Sequence, residues 1–134
     1  MATSKVTYLG DLRTSSVHLQ SGNTIITDAP TDNHGKGEAF SPTDSVANAL
    51  ATCMLTVMGI KARDLEVDFT GSTAEVTKIM GTDPRRIVEI LVNFDMNLVA
   101  DDKTKTILEK TALTCPVFFS LHPDIKKEIT FNWK

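Results

Sequence analysis

The sequence has few of the features that usually indicate a function. It holds only two cysteines among 134 residues, and with three scattered histidines they form no zinc-binding spacing. Basic residues never run longer than two, and the formal net charge is −3, which argues against nucleic-acid binding. Gly35–Gly37 lacks the length and the following Ser or Thr of a phosphate loop. We therefore expect no metal, no cofactor and no nucleic-acid partner.

Signals for export or membrane insertion are also missing. Met1–Gly10 carries one lysine and no apolar run, so it does not resemble a secretory signal. The apolar run Ser45–Ile60 is interrupted by Asn48, Thr52 and Thr56, and we expect it to fall short of a membrane span. The expected location is the cytoplasm, with no membrane partner. A permanent structural disulfide is unfavourable in that reducing compartment.

What is present is the pattern of a single α+β domain over residues 1–134. The predicted strands cover residues 5–9, 14–20, 24–28, 65–69, 72–80, 88–98 and a C-terminal segment. The second and third strands form a hairpin, and residues 29–40 form a loop. In the C-terminal strand, Lys127 shares one side with Ile129, Phe131 and Trp133. Helices are predicted after Ser41 and from residue 101 onward.

The first predicted helix has clear N-terminal signals. Ser41 is a suitable N-cap, Pro42 suits the first helical position, and Asp44 stands where a capping-box acid belongs. The helix interior, up to Ile60, is apolar nearly all round, which predicts a central, enclosed helix. Cys53 lies midway along it, on the stripe formed by Val46, Leu50, Val57 and Ile60.

The two cysteines are the residues most able to carry chemistry. On the residues alone they are two inert core residues, a structural disulfide or a catalytic dithiol pair. Leu108, Ala112, Cys115 and Phe119 are expected on one face of the second helix. Cys115 precedes Pro116, which disfavours helical geometry at position 115, so the helix should break or kink there. If Pro116 starts a new helical turn, Cys115 lies where free N–H groups stabilise a thiolate; alternatively, Cys-Pro only marks the helix end.

Two segments resemble the OsmC/Ohr family, the osmotically inducible protein C and organic hydroperoxide resistance proteins. Ser41–Met54, reading SPTDSVANALATCM after the Gly35–Gly37 loop, is similar to the central helix of that family. Cys115–Val117, followed by the closing strand, is similar to its second cysteine motif. The resemblance implies an α+β fold with antiparallel sheets around central helices, in an intertwined homodimer.

The resemblance also implies a thiol peroxidase. Cys53 would attack an organic hydroperoxide and become a sulfenic acid, Cys115 would resolve it as a disulfide, and a dithiol reductant would open that bond. Met54, Phe118 and Phe119 would supply an apolar surrounding that favours fatty or aromatic hydroperoxides. Arg13 matches an N-terminal arginine that lowers the thiolate pKa and polarises the peroxide.

One position departs from the family pattern. The family places a glutamate ten residues before the reactive cysteine, and here that position is Thr43. Asp44 and Glu38 are the candidates to replace the missing carboxylate beside Arg13. The departure keeps a second function open, in which an OsmC-like protein binds an apolar ligand or senses redox state without efficient peroxidase turnover.

Overall fold

In the computed structural model, which describes residues 1–134, the first three strands form a sheet of their own. They are β1 (Ser4–Gly10), β2 (Arg13–His18) and β3 (Thr24–Asp28), antiparallel and in that order. Residues Met1–Val46 make up one compact unit and Ala47–Lys134 a second. The three strands and the hairpin agree with the sequence prediction; the single-domain expectation stays a prediction.

The N-terminal sheet has apolar side chains that are open to solvent. Val6 lies opposite Ser16, which in turn lies opposite Ile25, so these three residues share one face. On that face Val6, Tyr8 and Ile25 are each more than half exposed. Exposure of three large side chains on one face is the pattern of a surface that meets another surface.

Helix α1 (Pro42–Asp64) begins as the sequence predicts. The Ser41 backbone N–H donates to Asp44 Oδ2 at 3.0 Å, and the Asp44 N–H donates to Ser41 Oγ at 3.0 Å. This reciprocal capping box satisfies two backbone donors that the first turn leaves unpaired. The helix carries Cys53 and ends four residues beyond the predicted Ile60.

The prediction that α1 is enclosed on nearly all sides is wrong for the single chain. One side of the helix is buried, while Val46 and Ile60 are 41% and 60% exposed. The buried residues are Ala47, Leu50, Ala51, Met54, Met58 and Ala62. By length and composition alone, α1 is also long and apolar enough to cross a membrane, contrary to the sequence expectation. Core helices of proteins in water meet the same criterion, so this property is weak evidence.

The second sheet is mixed rather than antiparallel, which corrects the expected sheet type. It contains β4 (Thr73–Gly81), β5 (Arg86–Met96) and β6 (Lys126–Trp133) in that order. β4 and β5 pair antiparallel, whereas β5 and β6 pair parallel. Helices connect β5 to β6. Such a crossover carries the chain back to the end of the sheet where β5 begins, so β6 can run parallel to β5. The inward side of β5 forms the core through Ile90, Val92, Phe94 and Met96.

The strand predicted at residues 65–69 does not form. α1 continues to Asp64, and Glu66 adopts a left-handed φ of 56°, which is incompatible with extended backbone. Leu65, Val67 and Phe69 still pack against the core. The alternation of apolar and acidic residues there reflects alternating burial of an irregular segment, without a partner strand.

The helix predicted from residue 101 onward is two helices. α2 (Asp102–Ala112) is capped by Asp101, whose side chain accepts the Thr104 N–H at 2.8 Å. α3 (Pro116–Ser120) follows, with Cys115 as its N-cap. The predicted break before Pro116 is confirmed. Phe119 is 71% exposed and therefore does not share the buried face that the sequence assigned to it.

Candidate active site

The fold brings the two cysteines together in the C-terminal unit. Cys53, midway along α1, is half-buried, whereas Cys115, at the start of α3, is fully buried. Both belong to the same packed core, and the Cys53 sulfur lies within hydrogen-bonding reach of Cys115. Both thiols are free. Of the three interpretations that the sequence left open, this arrangement suits a dithiol pair, because a half-buried cysteine lies beside a fully buried one.

Burial raises the pKa of the Cys115 thiol above its ordinary value. The Phe118 backbone N–H donates to Cys115 Sγ at 3.2 Å and opposes this rise, whereas the neighbouring Cys53 sulfur adds to it. Desolvation is the largest of these effects, because a thiolate loses more hydration energy than one amide hydrogen bond returns. Cys115 therefore keeps its proton near neutral pH. Cys115 does lie at the start of α3, where the Phe118 N–H favours the thiolate as one sequence interpretation expected, but burial outweighs that effect.

The apolar residues that the sequence analysis placed around the pair differ in exposure. Met54 is fully buried, Phe118 is half-buried and packs on the core, and Phe119 is mostly exposed. The two phenylalanine rings meet edge to face, with centroids 6.0 Å apart and planes at 81°. The surroundings of the thiols are therefore apolar, in agreement with the sequence expectation for Met54 and Phe118, while Phe119 offers an apolar surface to solvent.

Arg13 is the centre of a second polar cluster, in the N-terminal unit. It stands opposite Asp28 in the β2–β3 register, and its Nε and Nη2 donate to Asp28 Oδ1 and Oδ2 at 2.7 and 2.8 Å. Nη2 also donates to Glu38 Oε1 at 2.9 Å, and the Glu38 backbone N–H donates to Asp28 Oδ2 at 3.2 Å. This bidentate geometry fixes the plane of the guanidinium group.

Asp28 is a residue that the sequence analysis missed. Its side chain is 1% exposed, and the Arg13 guanidinium holds the pKa of that carboxyl below its usual range. The same pairing raises the pKa of Arg13, so its charge is permanent. An arginine and an aspartate at facing ends of a predicted hairpin would have been the signal, provided that the hairpin register were known.

The remaining predicted residues lie near the start of α1 or in the loop before it. Asp44 serves the capping box of α1, and Thr43 Oγ1 lies 3.3 Å from Ser41 Oγ. Glu38, in the loop, accepts a hydrogen bond from Arg13 Nη2. No group of three or more His, Cys, Asp or Glu side chains that could hold a metal ion occurs in residues 1–134.

The fold and the paired thiols define an α+β protein with a dithiol centre in its core. The family model for OsmC-like protein matches residues 35–130, and the chain belongs to the OsmC-like family. Among curated proteins, none matches the sequence.

Solved structures of similar proteins span the whole chain. A Psychrobacter arcticus protein named for an osmotic stress induced and detoxification response is 62% identical, with a TM-score of 0.96 over 98% of this chain and 96% of the other. An organic hydroperoxide resistance protein OsmC from Legionella pneumophila shares 12% identity and a TM-score of 0.72, over 98% of each chain. A Vibrio cholerae protein named for organic hydroperoxide resistance, with captopril in one active site, shares 15% identity and a TM-score of 0.75, over 98% of this chain and 92% of the other. The two distant likenesses show the fold alone.

The Arg13–Asp28 pair predicts a pH dependence of stability. Because the pKa of Asp28 is lower in the folded chain than in the unfolded chain, its stabilisation is present above the unfolded carboxyl pKa of about 3.9 and is lost as the pH falls further. Asp28→Asn should therefore be less stable than wild type at pH 7, and the difference should shrink toward pH 2. Urea unfolding between pH 2 and pH 7 measures both free energies.

The control for this prediction is Asp124→Asn, because the Asp124 side chain is 88% exposed. It should follow the wild-type curve closely. A stability difference between Asp28→Asn and wild type that stays constant over the whole pH range would contradict the prediction.

Proposed function

We propose that the protein is a thiol-dependent peroxidase that reduces organic hydroperoxides, in a response to osmotic or peroxide stress. The observation that carries the proposal is the pairing of a half-buried Cys53 with a fully buried Cys115. Family membership and the stress-response name of the 62% identical relative support it.

The proposed chemistry runs in three balanced steps. The Cys53 thiolate attacks the terminal peroxide oxygen, the O–O bond breaks, and the alkoxide leaves as an alcohol after taking a proton; sulfur is oxidised to a sulfenic acid. Cys115 sulfur then attacks Cys53 sulfur, and the hydroxyl group leaves as water. A dithiol reductant finally attacks the disulfide, is itself oxidised to a disulfide, and restores both thiols.

Access and protonation support this order of roles. A peroxide arriving from solvent should meet the partly buried Cys53 before the fully buried Cys115. Cys115 also has a raised pKa, so it remains a thiol and suits a late, resolving role rather than the first attack. The apolar surroundings from Met54 and Phe118 favour a peroxide with an apolar body over hydrogen peroxide.

Cysteine variants test the assignment. With one equivalent of cumene hydroperoxide, wild type should form a disulfide between its two cysteines, detected by mass spectrometry. Cys115→Ser should stop at a sulfenic acid on Cys53 that dimedone traps, because the resolving sulfur is missing. Cys53→Ser should stay reduced, because the Cys115 thiol is buried and keeps its proton near neutral pH, so its reaction with the peroxide is slow.

Stopped-flow measurement of thiol loss completes the test. Cumene hydroperoxide should react faster than hydrogen peroxide with wild type. Dimedone labelling of Cys115 in Cys53→Ser would reverse the roles, and equal slow rates with both peroxides would remove the peroxidase assignment.

The resemblance gives Arg13 the role of activating the peroxidatic sulfur, and the contacts of Arg13 support part of it. Its guanidinium is held by Asp28 and Glu38, so two other carboxylates take the orienting role expected of the missing glutamate. We infer that Asp28, the buried partner, is the stronger of the two, because Glu38 is 65% exposed and its ion pair is open to water.

Removal of Arg13 should therefore slow the first chemical step. Arg13→Ala should lower the rate of Cys53 oxidation by about a hundredfold, the lower scale of a positioned catalytic group. Arg13→Lys keeps the charge but lacks the planar guanidinium group, so its rate of Cys53 oxidation should lie between those of Arg13→Ala and wild type. The rate of Cys53 oxidation is measured by stopped flow, at a pH where urea unfolding shows that each variant is folded. Equal rates for Arg13→Ala and wild type would exclude the role.

A second function is favoured by one observation. Thr43 stands at the family's glutamate position, and two carboxylates already bind Arg13, which lowers its capacity to stabilise a thiolate. An OsmC-like protein that binds an apolar ligand or senses redox state, without efficient turnover, fits this charge balance. Such a protein would form the Cys53–Cys115 disulfide once but would not sustain turnover with a dithiol reductant in excess.

We further propose an intertwined homodimer, located in the cytoplasm. Support comes from large exposed apolar residues on the N-terminal sheet, among them Val6, Tyr8 and Ile25, and from exposed Val46 and Ile60 on α1. Obligate dimers bury large apolar surfaces, and these exposed residues could form part of one.

The dimer has a direct test. Sedimentation velocity at micromolar concentration should give a single species of twice the chain mass, because exposed apolar faces favour association. Replacing Tyr8 with Glu should shift the species toward monomer, whereas the exposed Asp124→Asn should not. A folded wild-type monomer at that concentration would contradict the dimer proposal.

A further inference from the structure

Lys127 occupies an unusual place for a lysine. Along β6 exposed and half-buried residues alternate, and Lys127 lies on the half-buried side with Ile129, Phe131 and Trp133, all packed against the core. Lysines are rarely found on the inward side of a strand, because the ammonium group loses hydration there. The position therefore calls for compensating contacts.

Two contacts hold the Lys127 ammonium, and neither is a carboxylate. Nζ donates to the Ile125 carbonyl oxygen at 3.0 Å and lies over the Phe118 ring, 5.1 Å from its centroid. That distance is within the range of a cation–π interaction, which strengthens as the cation is desolvated. The adjacent Lys126 differs, since it is 69% exposed and pairs with Glu89 and Glu128 at 3.7 and 3.9 Å.

Phe118 connects this cation to the thiol pair. Its ring receives the Lys127 ammonium, while its backbone N–H donates to Cys115 Sγ at 3.2 Å. α3 has five residues, so few other contacts within the helix hold its first turn. A ring fixed by Lys127 therefore also fixes the amide that bonds the sulfur.

We infer that Lys127 is a positioning residue for Cys115, holding Phe118 so that its N–H stays on the sulfur. The inference rests on the proposed dithiol function of the same site. During resolution, Cys115 must lose its proton before its sulfur attacks the Cys53 sulfenic acid, and water leaves. The Phe118 amide stabilises the negative sulfur at that moment, so loss of Lys127 should make Cys115 harder to ionise.

The test uses Cys53→Ser protein, in which Cys115 is the only thiol and a hydroxyl group replaces the sulfur that faces it from α1. The rate of alkylation by iodoacetamide is measured against pH. The midpoint of the profile reports ionisation of Cys115, and its upper plateau reports access to the sulfur. Adding Lys127→Met, which keeps an unbranched apolar stem, should raise the midpoint and slow alkylation by about threefold to tenfold below it.

Rescue and control variants separate positioning from general loosening of the fold. Lys127→Arg keeps a cation for the ring and should restore the midpoint, whereas Lys126→Met should not move it. Phe118→Leu should raise the midpoint as Lys127→Met does, and the two changes together should not add. Phe118→Leu also keeps the inference testable if Lys127→Met does not fold.

An unchanged midpoint in Lys127→Met, or failure of Lys127→Arg to restore a raised one, would overturn the inference. A change in the plateau alone would also overturn it, because it would mean that Lys127 only covers the sulfur. Alkylation needs no peroxide. A protein without peroxidase activity that still shows the midpoint effect would therefore contradict the proposed function and leave the role of Lys127 intact.

Discussion

Burial of the Cys115 sulfur is the constraint on which the proposed chemistry depends. Pro116 cannot continue α2, so the chain breaks there and the side chain before the break turns into the core as the N-cap of α3. Out of water, that sulfur keeps its proton near neutral pH. In the proposed chemistry, this difference in solvation gives two identical side chains separate roles.

Much of the fold could be predicted because local chemistry decided it. The capping residues of α1 and the strict alternation along β5 act through near neighbours, and both predictions are confirmed. The failures came from distant parts of the chain. Residues 65–69 alternate like a strand but have no strand to pair with, and β6 pairs parallel because of the helical crossover before it. A period of two along the sequence shows which residues are buried, but it does not show which strand they pair with.

The cysteines of the candidate site could be predicted from the sequence, but the geometry around Arg13 could not. Cysteines are rare here, so both could be named, and Pro116 located the break that places the second one. Asp28 was missed because its importance depends on hairpin register: Val17 pairs with Thr24, and the same register sets Asp28 opposite Arg13. A slip of even one residue would change every cross-strand partner.

The parallel pairing of β5 with β6 also determines when the surroundings of the second sulfur are completed. β6 is the last element of the chain, and it joins β5 only after α2 and α3 have crossed the sheet. Contacts between residues so far apart in sequence form late and slow folding. During synthesis, Cys53 leaves the ribosome well before the strand that carries Lys127. A newly made chain therefore carries Cys53 for some time before the surroundings of Cys115 are complete.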